Sequence, residues 1–312
     1  MSIKDVVALS GGVGGAKLAL GLSRVVPSGS LTVIANTGDD FEHLGLSICP
    51  DIDTLTYALA SLDNPTLGWG RRDETWSFME SVKALGGEDW FRLGDRDLAV
   101  HVERTRRLRS GETLSQITTD FAAKLGIGAR ILPMSDDRVR TRVLSDGGWI
   151  DFQDYFVRQQ CRPVVRALSF DGAPESQPAP GVMQALQTAG TIVICPSNPF
   201  ISIEPILAVP GIRDAIRASG APVVAVSPII GGKAVKGPTA KMMAELGMEA
   251  TALGVAQRYG NMISGYVVEH EDAASVAGIA ARVTAAKTLM LSLEDRETLA
   301  RVVLEAADAL RR

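Results

Sequence analysis

The sequence has little of what marks several protein classes. Its three cysteines, Cys49, Cys161 and Cys195, stand far apart, with neither a Cys-x-x-Cys pair nor a zinc-type spacing. A disulfide framework is therefore not expected, and a reducing compartment fits. No run reaches the roughly 18 apolar residues that a bilayer span requires, and the apolar stretch 6–9 is too short for a signal-peptide core. We therefore expect a cytoplasmic protein with no membrane partner.

Basic residues are not in excess, because 32 Lys and Arg stand against 36 Asp and Glu. This mildly acidic balance argues against a nucleic-acid partner, although a local basic pocket stays compatible with it. The sequence also has no Gly-x-Ser-x-Gly elbow and no His-Glu-x-x-His helix motif. An enzyme that works through a covalent nucleophile is therefore not favoured.

What the chain does have is an alternation of strand and helix patterns. Helical patterns at 16–25, 203–219 and 239–246 follow several short apolar runs, which predict buried strands at 6–9, 31–35, 191–195, 222–226 and 263–268. Strands that alternate with helices, and that are apolar throughout, favour a parallel sheet with helices on both faces. The fold class predicted from this pattern is α/β.

The 312 residues are predicted to form one α/β domain, with the segment 63–160 as an insertion that covers the sheet edge. This segment is helix-rich and charged. A capping box at Thr113 to Gln116 opens a helix through Lys124. A hairpin is predicted from 139–144 and 149–152. The pattern at 294–310 predicts a long amphipathic helix at the end of the chain.

A glycine-rich turn at residues 10–17, Ser-Gly-Gly-Val-Gly-Gly-Ala-Lys, joins the first strand to the first helix. Glycines let a backbone approach a phosphate, and helix N-terminal amides can hold the anion. The turn lacks the Gly-Lys-Ser/Thr ending of a Walker A loop, and Lys17 takes the place of the third Rossmann glycine. The alternative is a tight connection without a ligand.

Two acidic motifs follow. Residues 36–40, Asn-Thr-Gly-Asp-Asp, come directly after the second strand, and residues 50–54, Pro-Asp-Ile-Asp-Thr, precede a helix predicted at 55–60. Ligands of open α/β sheets bind at this carboxyl edge, and paired carboxylates suit Mg²⁺. In an extended backbone, Asp51 and Asp53 would project to one side. The alternatives are a polar turn and a helix N-cap.

Arginines and tryptophans mark the next two motifs, residues 69–76 and residues 94–97. Arginine offers a fork for phosphate, and an aromatic side chain can stack on a ring. Asp97, His101 and Arg104 have the spacing of one helix face. The alternative is a solvated helix with i,i+4 ion pairs.

Small polar residues follow two later strands, at 197–199 (Ser-Asn-Pro) and at 227–238, which carries a glycine pair and Lys236. Each could bind a phosphate or simply connect a strand to a helix. Taken together, the motifs predict a site for a phosphorylated, nucleotide-like ligand along one sheet edge, with a divalent metal. The residues alone leave two functions open, a metal-assisted phosphate enzyme and a nucleotide-binding module.

The ordered series of motifs resembles the 2-phospho-L-lactate transferase family of coenzyme F420 biosynthesis, and its bacterial branch in particular, over nearly the whole chain. The resemblance implies a Rossmann-like fold with an inserted subdomain, Mg²⁺ as the metal, and a homodimer. It also implies transfer of a phospho-organic acid from a guanosine diphosphate-linked donor to the ribityl hydroxyl of the deazaflavin Fo, releasing GMP. The acid would be 2-phospholactate, phosphoenolpyruvate or 3-phosphoglycerate.

The resemblance implies catalytic roles for Asp40 and Asp53 and metal binding by Asp39, Asp40 and Asp53. Asp53 and Arg96 are the positions expected to contact Fo. Val13 stands where the family often has threonine, which removes a side-chain hydrogen bond but not the backbone amides. Substrate binding is expected of a larger set from the glycine, acidic and small-polar motifs: Gly11, Gly12, Gly14, Gly15, Lys17, Asn36, Thr37, Asp51, Asp53, Arg96, Asp97, Ser197, Asn198, Ser227 and Lys236.

Two alternatives remain. A related family of non-catalytic nucleotide-sugar-binding regulators shares the glycine turn and a similar acidic loop. In that family the acidic loop runs into Gly-Gly-Ser-Ser-Gly, whereas here residues 41–45 are Phe-Glu-His-Leu-Gly. A nicotinamide dehydrogenase is disfavoured because Lys17 replaces the third glycine. The sequence favours the transferase.

Overall fold

The structure is a computed structural model that describes residues 5–64, 69–235 and 237–311. Within these residues the strands are β1 (Val6–Ser10), β2 (Leu31–Ala35), β3 (Phe41–His43), β4 (Leu46–Ile48), β5 (Arg130–Pro133), β6 (Arg140–Ser145), β7 (Gly148–Asp151), β8 (Ala167–Asp171), β9 (Thr191–Ile194), β10 (Val223–Val226), β11 (Ile229–Ile230), β12 (Lys233–Ala234), β13 (Gly265–Val268) and β14 (Arg282–Ala285). The helices are α1 (Gly12–Val25), α2 (Pro50–Leu59), α3 (Ser77–Ala84), α4 (Asp95–Arg109), α5 (Leu114–Lys124), α6 (Val182–Thr188), α7 (Glu204–Ala208), α8 (Ile212–Ala218), α9 (Thr239–Glu245), α10 (Ala252–Tyr259) and α11 (Leu293–Ala309).

A parallel sheet forms the centre of the described chain. Its seven strands follow the order β14-β13-β10-β9-β1-β2-β5. β1 lies inside this order, where Val6 pairs with Leu31 of β2 and with Thr191 of β9. The inner strands β13, β10, β9, β1 and β2 are buried along their whole length because both faces of the sheet are covered. In β1, Val6 and Ala8 face one apolar layer, and Val7 and Leu9 face the other. This confirms the predicted α/β fold.

Helices α1, α2, α5 and α11 cover one face of the sheet. The other face is covered by α6 to α10 and by a small antiparallel sheet with the order β7-β6-β8. α1 packs along both α2 and α11. Because α1 begins directly after the central strand β1, its N-terminus opens at the carboxyl edge of the sheet.

Several local predictions are confirmed. Thr113 and Gln116 form the predicted capping box of α5, with Thr113 N donating to Gln116 Oε1 at 2.9 Å. The predicted hairpin is β6 and β7, which pair antiparallel. The final helix α11 is opened by a second capping box, formed by Ser292 and Asp295. Each is a short-range pattern, and such patterns are set by neighbours in sequence.

The segment 63–160 divides between two parts of the fold. α3 and α4 pack with the β3–β4 hairpin around a separate apolar cluster that includes Ile48, Met79 and Leu93. α5 and β5 belong to the main layers, and β5 is itself the edge strand of the central sheet, beside β2. The boundaries of an inserted subdomain stay a prediction.

The structure corrects three predicted helices. The helix predicted at 203–219 is divided into α7 and α8, because Pro210 and Gly211 interrupt it and Gly211 has φ +83°. A π-helical turn (Pro199–Ile203) precedes α7. α1 starts at Gly12, within the glycine-rich turn, and α2 starts at Pro50 rather than at residue 55. None of the helices among the described residues has the length and apolar character needed to cross a membrane.

Candidate functional site

A cleft of about 740 Å³ lies at the carboxyl edge of the central sheet. Four of the segments that line it follow parallel strands or open the helix after one. They are the first turn of α1, Asp39 after β2, Pro196 to Asn198 after β9, and Ser227 after β10. Other lining residues come from α2, α4 and from segments that include residues 69–70, 90–92, 152–157 and 288–290. The fold therefore brings motifs from most of the chain into one site, as expected for an open parallel sheet.

The glycines of the α1 turn are required by packing at three of four positions. A Cβ on Gly11 would lie 2.6 Å from Ser202 Cβ, one on Gly14 would lie 2.4 Å from the carbonyl oxygen of Pro196, and one on Gly15 would lie 2.3 Å from Ser10 Oγ. Gly12 differs, because its φ is +66° and its added Cβ would meet no atom within 4 Å. The turn is thus closely packed at Gly11, Gly14 and Gly15, whereas Gly12 faces open space.

The carboxylate of Asp51, in the first turn of α2, contacts the N-terminus of α1. Its Oδ1 accepts a hydrogen bond from Gly12 N at 2.6 Å, and its Oδ2 accepts one from Asn36 Nδ2 at 2.8 Å. Burial raises the pKa of Asp51 to about 6, while the bonds from Asn36 and Gly12 lower it. A carboxylate at this position is favoured by the helix dipole. Asn36 and Thr37 are themselves buried and do not line the cleft.

The two carboxyls that follow β2 have different positions. Asp39 lines the cleft, whereas Asp40 is buried behind it. Burial, followed by the charge of Asp51, raises the pKa of Asp39 well above its usual range. Burial raises the pKa of Asp40 to about 7, although the charge of Arg140 lowers it. Asp39 Oδ1 and Asp40 Oδ1 have no hydrogen-bond partner among the described residues.

Asp53 is held by a buried arginine of α4. Arg104 Nη1 donates to Asp53 Oδ2 at 3.1 Å, and Arg104 Nη2 donates to Asp53 Oδ1. Asp53 lines the cleft, and Arg104 lies behind it with only 2% of its side chain exposed. The helical backbone of α2 turns Asp51 and Asp53 to different partners. The expectation of an extended Asp-x-Asp with both carboxylates on one side is therefore wrong.

His101 connects Asp53 to Asp97 on the predicted helix face. Its Nδ1 is 3.4 Å from Arg104 Nη1, and its Nε2 is 3.2 Å from Asp97 Oδ2. Because a guanidinium only donates, we assign the lone pair to Nδ1 and the proton to Nε2. Tyr57 also donates to Asp97. Burial raises the pKa of Asp97, but the bonds from His101 and Tyr57 and the charges nearby outweigh it and leave the pKa below its ordinary value.

Asp53, Asp97 and His101 each offer one ligand atom within 4.8 Å of the others. The Arg104 guanidinium contacts two members of this group. A metal cation there would be repelled by a fixed positive charge at contact distance. The group is better described as a hydrogen-bonded network than as a metal centre.

Small polar side chains of the loops after β9 and β10 hydrogen-bond to backbone groups beside the cleft. Ser197 Oγ donates to Gly11 O at 2.7 Å, Asn198 Oδ1 accepts from Phe200 N at 2.9 Å, and Ser227 Oγ donates to Ile229 O at 3.0 Å. All three line the cleft. Lys17 also lines it, and its Nζ donates to Met290 O at 2.8 Å. Lys236 lies outside the described residues.

Aromatic side chains form a further part of the cleft wall, called the aromatic end below. They come from α2, from the segments before α3 and α4, and from residues 152–156: Tyr57, Trp69, Trp90, Phe91, Phe152 and Phe156. Phe152 and Phe156 are stacked, with ring centroids 5.3 Å apart and 16° between their planes. Trp69 is partly exposed. Such a wall suits a flat, apolar ring that enters from solvent.

The structure brings most of the predicted site residues to the cleft and leaves others away from it. Those that line it are Gly11, Gly12, Gly14, Lys17, Asp39, Asp51, Asp53, Asp97, Ser197, Asn198 and Ser227. Gly15, Asn36, Thr37 and Asp40 are buried behind it, and the side chain of Arg96 is exposed outside it. Tyr57 and most of the aromatic wall were not predicted. Tyr57 follows Asp53 by one helical turn, a spacing that could have indicated it.

Comparison with known proteins gives one family. Residues 6–306 match the family described as 2-phospho-L-lactate transferase CofD. A phosphoenolpyruvate transferase from Streptomyces griseus is 44% identical, with 98% of this chain and 99% of that protein covered. One from Kitasatospora aureofaciens is 45% identical, with 98% of each chain covered.

A solved structure shares the fold. A crystal structure of a UPF0052 family member from Bacillus halodurans superposes with a TM-score of 0.64 and 15% sequence identity. The match covers 97% of this chain and 100% of that one. At this identity the likeness concerns the fold alone.

Proposed function

Because the chain belongs to the 2-phospho-L-lactate transferase family, we propose that it transfers a phospho-organic acid to the deazaflavin Fo in coenzyme F420 biosynthesis. The terminal ribityl oxygen of Fo attacks the phosphorus that bears the organic acid in a guanosine diphosphate-linked donor. The bond from that phosphorus to GMP breaks, a phosphodiester forms, and the hydroxyl proton leaves. The observation that carries the proposal is one cleft that is lined both by a helix N-terminus and by several aromatic rings.

We propose phosphoenolpyruvate as the acid carried by the donor. The support is the printed activity of relatives that are 44% and 45% identical over nearly the whole chain. The other two acids, 2-phospholactate and 3-phosphoglycerate, stay as comparison substrates. 2-Phospholactate lacks the double bond of the enol, and 3-phosphoglycerate is joined to the phosphate through its third carbon and carries a free hydroxyl. The test must therefore present all three donors to one preparation.

The donor phosphates are assigned to the first turn of α1. The initial amides of a helix have no acceptor within the helix, and the helix dipole favours an anion beside them. Gly12 N already donates to Asp51, so the amides of Val13 and Gly14 are the donors we assign to the phosphate. Ser197, Asn198 and Ser227 would border the guanosine.

Mg²⁺ fits the carboxyls on the donor side of the cleft. Asp39 has a buried Oδ1 with no partner among the described residues, and it shares the cleft wall with Asp51. Two carboxylates beside a diphosphate need a cation, and oxygen ligands are those that Mg²⁺ prefers. Asp39 and Asp51 would hold the ion, which would offset charge on the phosphates. Asp40 lies behind the wall and Asp53 is paired with Arg104, so we no longer assign either as a ligand.

The Fo ring is assigned to the aromatic end, which includes Trp90, Phe152 and Phe156. Asp53 also lines the cleft, one helical turn before Tyr57 on α2, and offers a carboxylate for the ribityl hydroxyl. That contact would orient the hydroxyl toward the donor and accept its hydrogen bond. Arg96 is exposed outside the cleft, so no role in ring binding is proposed for it.

The test is product mass. The protein is incubated with Fo, Mg²⁺ and each of the three guanosine diphosphate-linked donors, and the mass gained by Fo is measured. We expect the phosphoenolpyruvyl adduct and GMP in equal amounts, and both to form much more slowly with Asp53→Asn. No mass gain with any donor refutes the transferase. A nucleotide sugar that raises Tm, with no response to Fo, would favour the regulator instead.

We also propose a cytoplasmic homodimer, as the family resemblance implies. Light scattering on the purified protein should give twice the mass of one chain. A single-chain mass at micromolar concentration would contradict the dimer.

A further inference from the structure

Arg104 is the largest of the fully buried side chains in the described residues, and it lies directly behind Asp53. Its fork contacts both oxygens of Asp53, and Nη1 also reaches the carbonyl oxygen of Ser47 at 3.3 Å. A buried arginine is strongly unfavourable unless its donors are matched in this way. A buried ion pair as a whole can often be replaced by well-packed apolar residues without loss of stability, so packing alone does not require Asp53 and Arg104 to be paired here.

We infer that Arg104 is the positioning residue for Asp53 in the proposed transfer, holding the carboxylate in one orientation from the protein side. This inference rests on the proposed function. Asp53 lines the cleft and Arg104 does not, so the arginine acts only through the groups that it contacts. Each carboxylate oxygen has two lone pairs, and one per oxygen stays available to the cleft. Fixing such a group in advance lowers the barrier to reaction.

The same guanidinium fixes a second group of the cleft wall. Arg104 Nη1 approaches His101 Nδ1, which leaves the proton of the neutral ring on Nε2, 3.2 Å from Asp97 Oδ2. One side chain thus sets the orientation of Asp53 and the tautomer of His101. A lysine would keep the charge but present a single point rather than a planar fork, so it would not hold both oxygens.

The experiment compares Arg104→Lys with a matched variant of the same helix. Arg107 is one turn further along α4, donates to both Glu112 and Asp120, and does not line the cleft. We expect Arg104→Lys to lower kcat by about 100-fold, with KM for Fo and for the donor within about threefold of the parent. Arg107→Lys should keep kcat within about threefold. Thermal melts confirm that both variants are folded at the assay temperature.

A double-mutant cycle separates positioning from a general structural effect. If Arg104 acts through Asp53, Arg104→Lys should lower the residual turnover of Asp53→Asn by less than about threefold. An equal loss in both backgrounds would overturn the inference, as would parental kcat in Arg104→Lys. If Arg104→Lys fails to fold, Arg104→Ala assayed with and without guanidinium replaces it. Recovery of kcat by guanidinium but not by ammonium supports the inference, and no recovery by either overturns it.

The two proposals fail differently. A parental protein that adds no mass to Fo refutes the proposed function, and the role of Arg104 falls with it. An active parent whose Arg104→Lys variant turns over at the parental rate refutes the role of Arg104 alone.

Discussion

Replacing Asp40 by asparagine should destabilise the protein at acid pH and stabilise it at mildly alkaline pH. Asp40 is buried behind the cleft, with Oδ1 unpaired among the described residues. Burial raises its pKa from 3.8 to about 7, the charge of Arg140 lowering it only in part. The side chain is therefore neutral in the folded protein at pH 5 and charged in the unfolded chain. The free energy of unfolding falls as pH rises through this window and levels off above pH 7.

The size of the stability change follows from the size of the pKa shift of Asp40. At about 1.4 kcal/mol per pH unit, a shift from 3.8 to about 7 corresponds to about 4 kcal/mol of stability lost by pH 8. Asparagine never ionises, but its buried amide adds donors that lack partners, at about 1–3 kcal/mol. Asp40→Asn should therefore destabilise the protein by about 1–3 kcal/mol at pH 4 and stabilise it by about 1–3 kcal/mol at pH 8.

The assay is urea unfolding of parent and variant at pH 4 and at pH 8, without Mg²⁺. Contributions from Asp39 and Asp51 largely cancel in the difference between the two proteins. Asp146→Asn is the control, because Asp146 is exposed and its pKa is lowered by its hydrogen bond with Arg166. That variant should change stability little and never gain at high pH. A loss of stability in Asp40→Asn at both pH values would refute the reasoning, since it would show that the ionised carboxylate is favoured in place.

Three further predictions concern the cleft. Gly14→Ala should lower stability by about 1–3 kcal/mol in thermal melts, because its Cβ would lie 2.4 Å from the Pro196 carbonyl oxygen, and Gly147→Ala should be nearly neutral. Mg²⁺ at 100 times its Kd should raise the free energy of unfolding by about 2.7 kcal/mol, and Asp39→Asn should remove most of this gain; an equal gain in the variant would place the ion elsewhere. Phe156→Ala should raise KM for Fo with little change in kcat in steady-state kinetics, and an unchanged KM would remove this ring from the Fo site.

The sequence predicts the elements whose boundaries depend on local pattern. The run 31–35 is found as the strand Leu31–Ala35, because an uninterrupted apolar stretch has no other stable place than a sheet covered on both faces. The helix predicted at 203–219 is interrupted because Pro210 and Gly211 outweigh its apolar periodicity. At these positions the helical periodicity conflicts with the helix-breaking effect of proline and glycine, and the helix breakers prevail.

The sequence predicts which residues form the candidate site, but it does not predict their hydrogen-bond partners. The motifs correctly indicate that Asp51, Asp53 and Ser197 share one sheet edge. The partner of Asp53 is 51 residues away, and that of Asp51 is 39 residues away at Gly12. Such pairs depend on where two helices start and how they cross, which no local pattern contains. Pro50 does carry a signal, since proline is favoured at the first position of a helix, and it explains why the extended Asp-x-Asp was wrong.

The central place of β1 bears on how the chain folds as it is synthesised. β1 is synthesised long before β9, which is one of its two neighbours in the sheet, and Ser197 hydrogen-bonds to Gly11 across 186 residues. Until that part of the chain has emerged, one edge of an apolar strand has no partner, and exposed edges of this kind invite aggregation. Long-range parallel pairing is also slow to form. We therefore expect the cleft to be completed late in folding. We also expect the yield of folded protein to depend on chaperones that shield the strands synthesised first.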